Sequence, residues 1–308
     1  MKKFLLVCLA VVGIICFTAC GEKAPTPWES FYDEDTETYY LDGIAYEFNT
    51  VARTAKAIGP YEFELTDYYM PDYIKYNAVK YRITEVEDAV FAGQPYLESI
   101  RFSKNLKDIP ESCCNDCPKL KTVTIPKGIQ TIGDDAFSEC VALSEITFPN
   151  TLKSIGEQAF FECAMLKEIV IPDSVTTVGP ACFYGCTMLK SITFSKKLAK
   201  IEDELVNECE SLSTVVIPNG VREIGDEVFW GCYSLKEIVI PDSVREIGIR
   251  NFYDCQELKK VEFSKNLKEI DTETFDFCEA LEEIIIPSAL LEDAKEMLDD
   301  TEVKITVK

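Results

Sequence analysis

Apolar residues recur along most of the chain with a fixed period. Between residues 97 and 287, a leucine returns every 23 residues without insertion or deletion. These leucines are Leu97, Leu120, Leu143, Leu166, Leu189, Leu212, Leu235, Leu258 and Leu281. Three and five residues after each leucine stand two further apolar side chains, such as Ile169 and Ile171 after Leu166. A strict period of this length predicts a solenoid in which each repeat forms one coil.

The spacing of apolar residues within a repeat predicts a strand followed by turns. The apolar positions three and five residues after the leucine point to one side of a short strand, which a proline or serine then ends. A second apolar pair follows, such as Ile129 and Ile132, and then a glycine in most repeats. The next segment predicts a short helical turn with an inward phenylalanine. These phenylalanines are Phe137, Phe160, Phe183, Phe229, Phe252 and Phe275.

The repeat motif is similar to that of a known family. Residues 125–146 read I-P-K-G-I-Q-T-I-G-D-D-A-F-S-E-C-V-A-L-S-E-I, and similar runs return through residue 287. The motif resembles the BspA-like subclass of leucine-rich repeats, which occurs in bacterial surface lipoproteins. Cys113-Cys114 and Leu205-Val206 depart from it where Ala-Phe is usual. The resemblance implies an α/β solenoid of period 23, with short parallel strands on the concave face, short helical turns opposite, and a cap at each end.

The chain divides into five predicted segments. Residues 1–19 form a lipoprotein signal peptide, 20–36 a linker, 37–96 a hairpin-rich N-terminal cap with a degenerate first repeat, 97–287 the leucine-rich repeats, and 288–308 a helix–strand cap.

Both caps have local signals of their own. In the N-terminal cap, strand-like Tyr39–Leu41 and Ile44–Phe48 flank Asp42-Gly43, a strong hairpin signal, and a third strand is predicted at Tyr61–Leu65. In the C-terminal cap, Ser288 is expected to N-cap a helix through about residue 300. That helix would cover the last coil with one apolar face, and a final strand would follow it.

The first residues have the pattern of a secretory signal. Lys2 and Lys3 precede the apolar run Phe4–Phe17, which is short for a membrane span. Thr18-Ala19-Cys20 follows and resembles a bacterial lipobox, which implies that Cys20 carries a lipid. The alternatives are ordinary signal-peptidase cleavage and an uncleaved anchor. We expect an exported protein that is lipid-anchored to the bacterial cell envelope and surface-exposed, with the lipid as its contact with the membrane.

Composition excludes several kinds of chemistry. Asp and Glu total 54 against 31 Lys and Arg, which gives a formal net charge of −23 and makes nucleic acid an unexpected partner. The sequence contains no histidine, which excludes Ser-His-Asp and Cys-His catalytic sites and His-containing zinc sites. A carboxylate-based hydrolase is disfavoured because repeats and caps account for every segment, leaving no long loop to hold a site. We expect no enzyme activity and no cofactor.

A cysteine recurs once per repeat, at Cys117, Cys140, Cys163, Cys186, Cys209, Cys232, Cys255 and Cys278. One interpretation is a metal or redox ladder, and the other is a small apolar side chain that fills a narrow corner of each coil. Structural zinc sites use cysteine pairs about two to four residues apart, so the spacing favours the second interpretation. We expect mostly free, buried thiols and no bound metal. Local exceptions are most expected at Cys113, Cys114, Cys117, Cys182 and Cys186.

The outward side of the predicted strands is the first candidate binding surface. Four residues after the first eight leucines stand Arg101, Thr124, Thr147, Val170, Thr193, Val216, Val239 and Glu262. Small, β-branched side chains with acidic points would form a flat surface for a protein or a glycan. The alternative is that Thr and Val only reflect strand propensity. Extended concave surfaces are nevertheless the surfaces that solenoids use for binding.

A row of aromatic residues is the second candidate. Each directly follows an inward phenylalanine: Phe161, Tyr184, Trp230 and Tyr253, with Asn207 in the same row. Aromatic rings stacked along a solenoid edge could hold sugar rings or an apolar patch of a partner. The alternative is that these rings fold over the coil edge and extend the core.

The resemblance also implies a function. Members of the resembling family are surface-exposed, and some bind host matrix proteins. We therefore expect a non-catalytic adhesion or protein-binding module that acts through its concave sheet on a host or community surface protein or glycan. The aromatic row supports an alternative, which is a carbohydrate-binding or scaffold component of a nutrient-capture system. The sequence does not indicate an oligomeric state.

Overall fold

The computed structural model describes residues 31–33, 38–41, 43–60, 65–299 and 301–308. The predicted signal segment, Cys20 and most of the predicted linker lie outside these residues. So do residues 61–64, where most of the predicted third strand was placed. Short strands and turns make up nearly all of the described chain.

A mixed sheet precedes the repeats. Its part of the chain contains β1 (Phe31–Asp33), β2 (Thr38–Leu41), β3 (Ile44–Asn49), β4 (Thr54–Pro60), β5 (Asp67–Tyr69), β6 (Tyr73–Tyr76) and β7 (Val79–Val86). The strand order is β1-β2-β3-β4-β7-β6, with β5 outside this sheet and β4 parallel to β7. Strands β2 and β3 form the hairpin predicted around residues 42–43. Strand β4 was not predicted.

The repeats place strands on two faces of the coil. After the leucines lie β8 (Ser99–Arg101), β10 (Thr122–Thr124), β13 (Glu168–Val170), β15 (Ser191–Thr193), β17 (Thr214–Val216), β19 (Glu237–Val239), β21 (Lys260–Glu262) and β22 (Glu283–Ile286). On the next face lie β9 (Asp108–Ile109), β11 (Thr131–Ile132), β12 (Ser154–Ile155), β14 (Thr177–Val178), β16 (Lys200–Ile201), β18 (Glu223–Ile224) and β20 (Glu246–Ile247). We call the first set, together with β5, the strand face.

Neighbouring coils pair in parallel at the register of the repeat. Ile192 pairs with Val215, and Ile132 pairs with Ile155, so each partner lies 23 residues further along the chain. Strand β5 joins the first of these sheets through β8. The one-repeat register is the direct result of a period without insertions, which the sequence predicted.

A continuous apolar core runs through the stacked coils. It extends from Tyr39 to Leu298 and includes the repeated leucines, of which Leu166 and Leu189 are fully buried. The inward phenylalanines stack from coil to coil, with ring centroids 5.4 Å apart for Phe137 and Phe160. Burying one such leucine or phenylalanine stabilises a fold by about 1.5–3 kcal/mol. Stacking therefore provides the burial that one coil lacks.

The predicted helical turns are wrong, because the segments after the glycines form successive turns. In one of them, the N–H groups of Asp135, Phe137 and Glu139 donate to carbonyl oxygens of the next coil, at 2.9, 2.9 and 2.7 Å. Asp135 and Glu139 also have positive φ angles of 53° and 59°. Since alternate N–H groups bond to the next coil, they are not available to the carbonyl four residues back that a helix requires.

A close approach of coils explains the glycine before these turns. A Cβ atom at Gly179 would lie 2.3 Å from the backbone nitrogen of Glu157, and one at Gly156 would lie 2.5 Å from that of Asp134. A side chain at either position would push two coils apart.

The last repeat is followed by a short helical segment and a strand. The 3₁₀ helix Ser288–Leu290 leads into α1 (Leu291–Met297), and β23 (Lys304–Val307) pairs parallel to β22. The predicted N-cap is wrong, since no side-chain cap bond forms and the segment starts as a 3₁₀ turn after Pro287. Helix α1 also ends earlier than predicted. Leu290 and Ala294 are buried in the core of the solenoid.

Candidate functional site

The strand face presents an exposed row of small and β-branched side chains. Val170, Val216 and Val239 are 64%, 68% and 58% exposed, although they stand in strands whose neighbouring residues are buried. Of the other predicted residues in this row, Arg101, Thr124, Thr147 and Thr193 are exposed and Glu262 is half-buried. All of them except Thr147 lie in strands.

Ion pairs occupy the C-terminal end of the strand face. Glu283 accepts bonds from Lys304 at 2.6 Å and Lys260 at 3.0 Å, and these bonds together with one from Thr306 lower the pKa of its carboxyl to about 2. Glu262 pairs with Lys308 at 2.8 Å. The charges at this end therefore satisfy one another.

The N-terminal end of the strand face has a different charge arrangement. The guanidinium of Arg101 lies 4.5 Å from the ring centroid of Tyr69, which β5 places beside it. The hydroxyl of Ser99 donates to the carboxylate of Asp67 next to this pair. The sequence did not place Tyr69 on this face because Leu65, the leucine of its segment, stands 32 residues before Leu97 and so falls outside the 23-residue period. Alternation in Asp67-Tyr68-Tyr69 was the available signal, since Tyr68 is buried between exposed neighbours.

The strand face is interrupted in the third repeat. Residues 145–148 form no strand, and one isolated bridge between Thr122 and Glu145 is the pairing that remains. Strands β10 and β13, on either side, belong to different sheets. A cavity of about 870 Å³ opens between the coils and is lined by residues 122–125, Lys127 and 145–151. We call this cavity the gap.

The gap exposes part of the solenoid interior. Val123, Ile125 and Ile146 are only half-buried there. The equivalent Ile192 and Ile238 of later repeats are 3% exposed. The gap is therefore an opening toward the core whose lining combines these apolar side chains with polar ones such as Thr124 and Glu145.

The third repeat departs from the other repeats at the end of this strand, where the gap lies. Other repeats from residue 97 onward combine Phe with Ser or Ile with Pro, whereas the third repeat has Phe148-Pro149. In a Phe-Ser repeat, the hydroxyl of Ser195 donates to the carbonyl of Val175 at 2.6 Å and ties two coils together. Pro149 has neither a hydroxyl nor an N–H group, and Thr151 instead donates to the carbonyl of Ile129.

The predicted aromatic row forms two stacked pairs. Phe161 and Tyr184 have ring centroids 4.9 Å apart, and Trp230 and Tyr253 have centroids 4.2 Å apart. All four side chains are half-buried, and Asn207 between the pairs is buried. The structure brings the residues of each pair together but separates the two pairs.

Sequence reasoning missed one member of the aromatic row. Phe277 packs edge-on against Tyr253 with centroids 5.1 Å apart and is 61% exposed. It stands two residues after the inward Phe275, one position out of register, so the periodic pattern did not include it.

Carboxylates surround the first aromatic pair. Burial, together with the nearby carboxylates of Glu208, Glu204 and Glu162, raises the pKa of Tyr184 to about 12. Burial likewise raises the pKa of Glu204. The phenol of Tyr184 is therefore protonated near neutral pH and can donate a hydrogen bond.

The cysteines of the described repeats carry free thiols, and all are buried apart from the half-buried Cys278. Within the residues that the structure describes, no three His, Cys, Asp or Glu side chains come together in a way that could hold a metal ion.

Family comparison supports the repeat assignment. The sequence profile of the BspA-type leucine-rich repeat region matches residues 56–190, 107–236 and 200–305, with six copies. The chain belongs to the BspA-type leucine-rich repeat family. Leucine-rich repeat proteins are generally non-catalytic scaffolds. A search of curated proteins gives no significant match to this BspA-type protein.

Solved structures of other bacterial leucine-rich repeat proteins are similar to this BspA-type protein. A protein from Bacteroides ovatus is 28% identical with a TM-score of 0.67, covering 87% of this chain and 76% of its own. A leucine-rich cell surface protein from Faecalibacterium prausnitzii is 23% identical with a TM-score of 0.56, covering 88% and 94%. A T. pallidum protein is 18% identical with a TM-score of 0.54, covering 86% and 97%. The Faecalibacterium prausnitzii and T. pallidum proteins share the fold of this chain.

In the part of the BspA-type protein that the structure describes, no helix combines the length and apolar character needed to cross a membrane.

Proposed function

We propose that this BspA-type protein is a cell-surface lipoprotein that binds a protein partner through its strand face and catalyses no reaction. The observation that carries the proposal is the exposed β-branched row, in which Val170, Val216 and Val239 face solvent. Isolated surface valines are ordinary, but here they align in one row, with Thr193 between Val170 and Val216 and with Val239 at the edge of the next sheet. Strands of this kind form the concave surface that solenoids use for binding. We expect the partner to be a host or community surface protein.

The surface location has its own support and test. BspA-type leucine-rich repeat proteins are typically surface-associated, and the similar Faecalibacterium prausnitzii protein is a cell surface protein. We propose that Cys20 carries the lipid. Metabolic labelling with an alkyne fatty acid should then mark the wild-type protein and leave a Cys20→Ala variant unlabelled. Equal labelling of both proteins would contradict the lipid assignment.

The aromatic row favours a second candidate function, which is carbohydrate binding within a nutrient-capture system. Its support is the stacking of Phe161 on Tyr184 and the tilted ring contact of Trp230 with Tyr253. Flat aromatic surfaces of this kind can stack against the apolar faces of sugar rings. The phenol of Tyr184 adds a hydrogen-bond donor beside them.

A binding screen distinguishes the two functions. Residues 21–308, produced without lipid, would be tested against immobilised matrix proteins, mucins and glycans. One variant changes Val170, Val216 and Val239 to lysine, and the other changes Phe161, Tyr184, Trp230 and Tyr253 to alanine.

The first function predicts a protein ligand whose affinity falls at least tenfold, about 1.4 kcal/mol, in the lysine variant alone. The second predicts a glycan ligand that is lost in the alanine variant alone. Circular dichroism of both variants checks that they are folded. A ligand that binds all three proteins equally would exclude both surfaces.

A further inference from the structure

The gap differs from the other interruption of the strand face. Strands β17 and β19 also belong to different sheets, yet Val215, Ile217 and Ile238 beside that interruption are only 9%, 6% and 3% exposed. At the gap, by contrast, the corresponding Val123 and Ile146 are half-buried and a cavity separates the coils. A cavity therefore separates the coils at the gap, whereas the apolar side chains at the second interruption remain buried.

Both walls of the gap carry backbone groups that an intact sheet would use. At several paired positions, the N–H five residues after the leucine donates to the next coil, as from Ile171 to Thr193 at 2.9 Å and from Ile240 to Glu262 at 2.7 Å, although Phe194 in the described backbone makes no such bond. In the described backbone pairing, Ile125 and Phe148 make no such bond. Open strand edges with free donors and acceptors bind extended peptides through main-chain hydrogen bonds.

The other ladders of the same coils limit what can enter. Strands β11 and β12 remain paired, with Thr131 opposite Ser154 and Ile132 opposite Ile155. The turns also remain bonded, with the N–H of Phe137 donating to the carbonyl of Ala159 at 2.9 Å. The coils separate on the strand face between the Thr122–Glu145 bridge and the bond of Thr151 to Ile129, so we expect an extended backbone to enter there in preference to a helix, which is about 10 Å wide.

The charges near the gap favour an acidic occupant. Among the described residues, Arg101 and Lys127 form no ion pair, whereas Lys260 and Lys304 at the other end of the face both pair with Glu283. Arg101 is held against Tyr69, and Lys127 lines the gap. On a chain with a formal net charge of −23, cations without a carboxylate partner are complementary to an acid on another molecule.

The remaining charge at the gap sets the direction of the occupant. Glu145 lies on the wall opposite β10 and is exposed. It would repel an acidic side chain placed on its own side. The acid of a bound segment is therefore expected to point toward β8, where Arg101 stands.

We propose that the gap binds an extended segment of a protein partner, with an apolar side chain between Val123 and Ile146 and an acidic side chain on Arg101. This inference rests on the proposed strand-face function and specifies where on that face, and by what chemistry, the partner binds. The segment completes the interrupted sheet and covers the exposed part of the core.

The test uses a phage-displayed library of random dodecapeptides selected on residues 21–308. The double variant Pro149→Ser with Thr151→Asn changes residues 148–152 to Phe-Ser-Asn-Asn-Leu, close to the Phe-Ser-Lys-Asn-Leu of residues 102–106 and 263–267. It should close the gap, which slower hydrogen exchange at Ile125 and Phe148 would show. Val123→Trp fills the gap directly as a second variant. The matched control, Val216→Lys with Val239→Lys, alters the strand face away from the gap.

The proposal expects selected peptides with an apolar residue near an Asp or Glu. Their affinity should fall at least tenfold in both gap variants and in Arg101→Glu, and remain unchanged in the control. Replacing the peptide acid with lysine should restore binding to Arg101→Glu. Peptides that lose affinity only in the control would overturn this inference and leave the strand-face function standing. Failure to select any peptide, or peptides indifferent to every variant, would overturn the gap inference; the separate screen of whole proteins decides the broader function.

Discussion

At the residue scale, the repeated cysteine acts as a hydrogen-bond donor as well as a small apolar side chain. The thiol of Cys163 donates to the carbonyl of Phe137, and that of Cys209 to the carbonyl of Phe183, each at 3.2 Å. The same contact, 26 residues back, occurs at Cys117, Cys140, Cys186, Cys232, Cys255 and Cys278. A buried carbonyl needs a partner, and a thiol supplies one in a corner too narrow for a larger group.

These thiols predict a loss of stability in alkaline solution. Burial raises the pKa of Cys163, Cys209 and Cys255 well above the usual range. In the unfolded chain a cysteine thiol has a pKa of about 8.5. Stability is therefore full below about pH 8.5 and falls as pH rises toward the folded pKa, because only the unfolded state releases these protons. Each thiol contributes a slope of up to about 1.4 kcal/mol per pH unit in that window.

Urea unfolding at pH 7.5, 8.5 and 9.5 measures this slope. Cys163→Ala, Cys209→Ala and Cys255→Ala combined should lower the free energy of unfolding at pH 7.5 yet make its fall with pH shallower. A slope that is the same in the variant and in the wild type would show that other groups cause the alkaline loss.

At the element scale, the strands after the leucines were predictable except in the third repeat, and the turns were not. Alternation in segments such as Glu168–Val170 is local information, and the structure has a strand there. The spacing of Ala136, Phe137 and Cys140 suits a helix and also suits successive turns with buried corners. Hydrogen bonds between coils decide whether this segment forms a helix or successive turns. Because these bonds join residues about one repeat apart, no local sequence pattern contains that information.

The features of the candidate surfaces likewise divide into those that a local sequence pattern indicates and those that depend on contacts between coils. The exposure of Val170 and Val216 follows from strand alternation, so the sequence could indicate it. The gap depends on an exception to the pairing of Phe with Ser, at Phe148-Pro149, and its effect on two coils appears only when they are stacked. The contact of Tyr69 with Arg101 depends on β5, whose leucine, Leu65, stands outside the 23-residue period.

At the scale of the whole molecule, each coil contacts mainly its neighbours, so stability should spread along the stack by nearest-neighbour contacts. The core nevertheless continues into the C-terminal segment, where Leu290 and Ala294 are buried and β23 extends the sheet beyond β22. A terminal coil without such a cover would expose apolar residues such as Ile284 and Ile286. The C-terminal segment should therefore stabilise the last coils more than the distant ones.

Leu290→Ala tests this local effect. Truncating a fully buried leucine costs about 2–5 kcal/mol, and the cost should appear as faster hydrogen exchange in β21 and β22 with little change in β11 and β12. Glu292→Ala is the matched control, because Glu292 is exposed in the adjoining helix α1 and its ion pair with Lys295 is a surface pair of small effect. If exchange rose equally along the whole stack in Leu290→Ala, the coils would unfold as one cooperative unit and the nearest-neighbour description would be wrong.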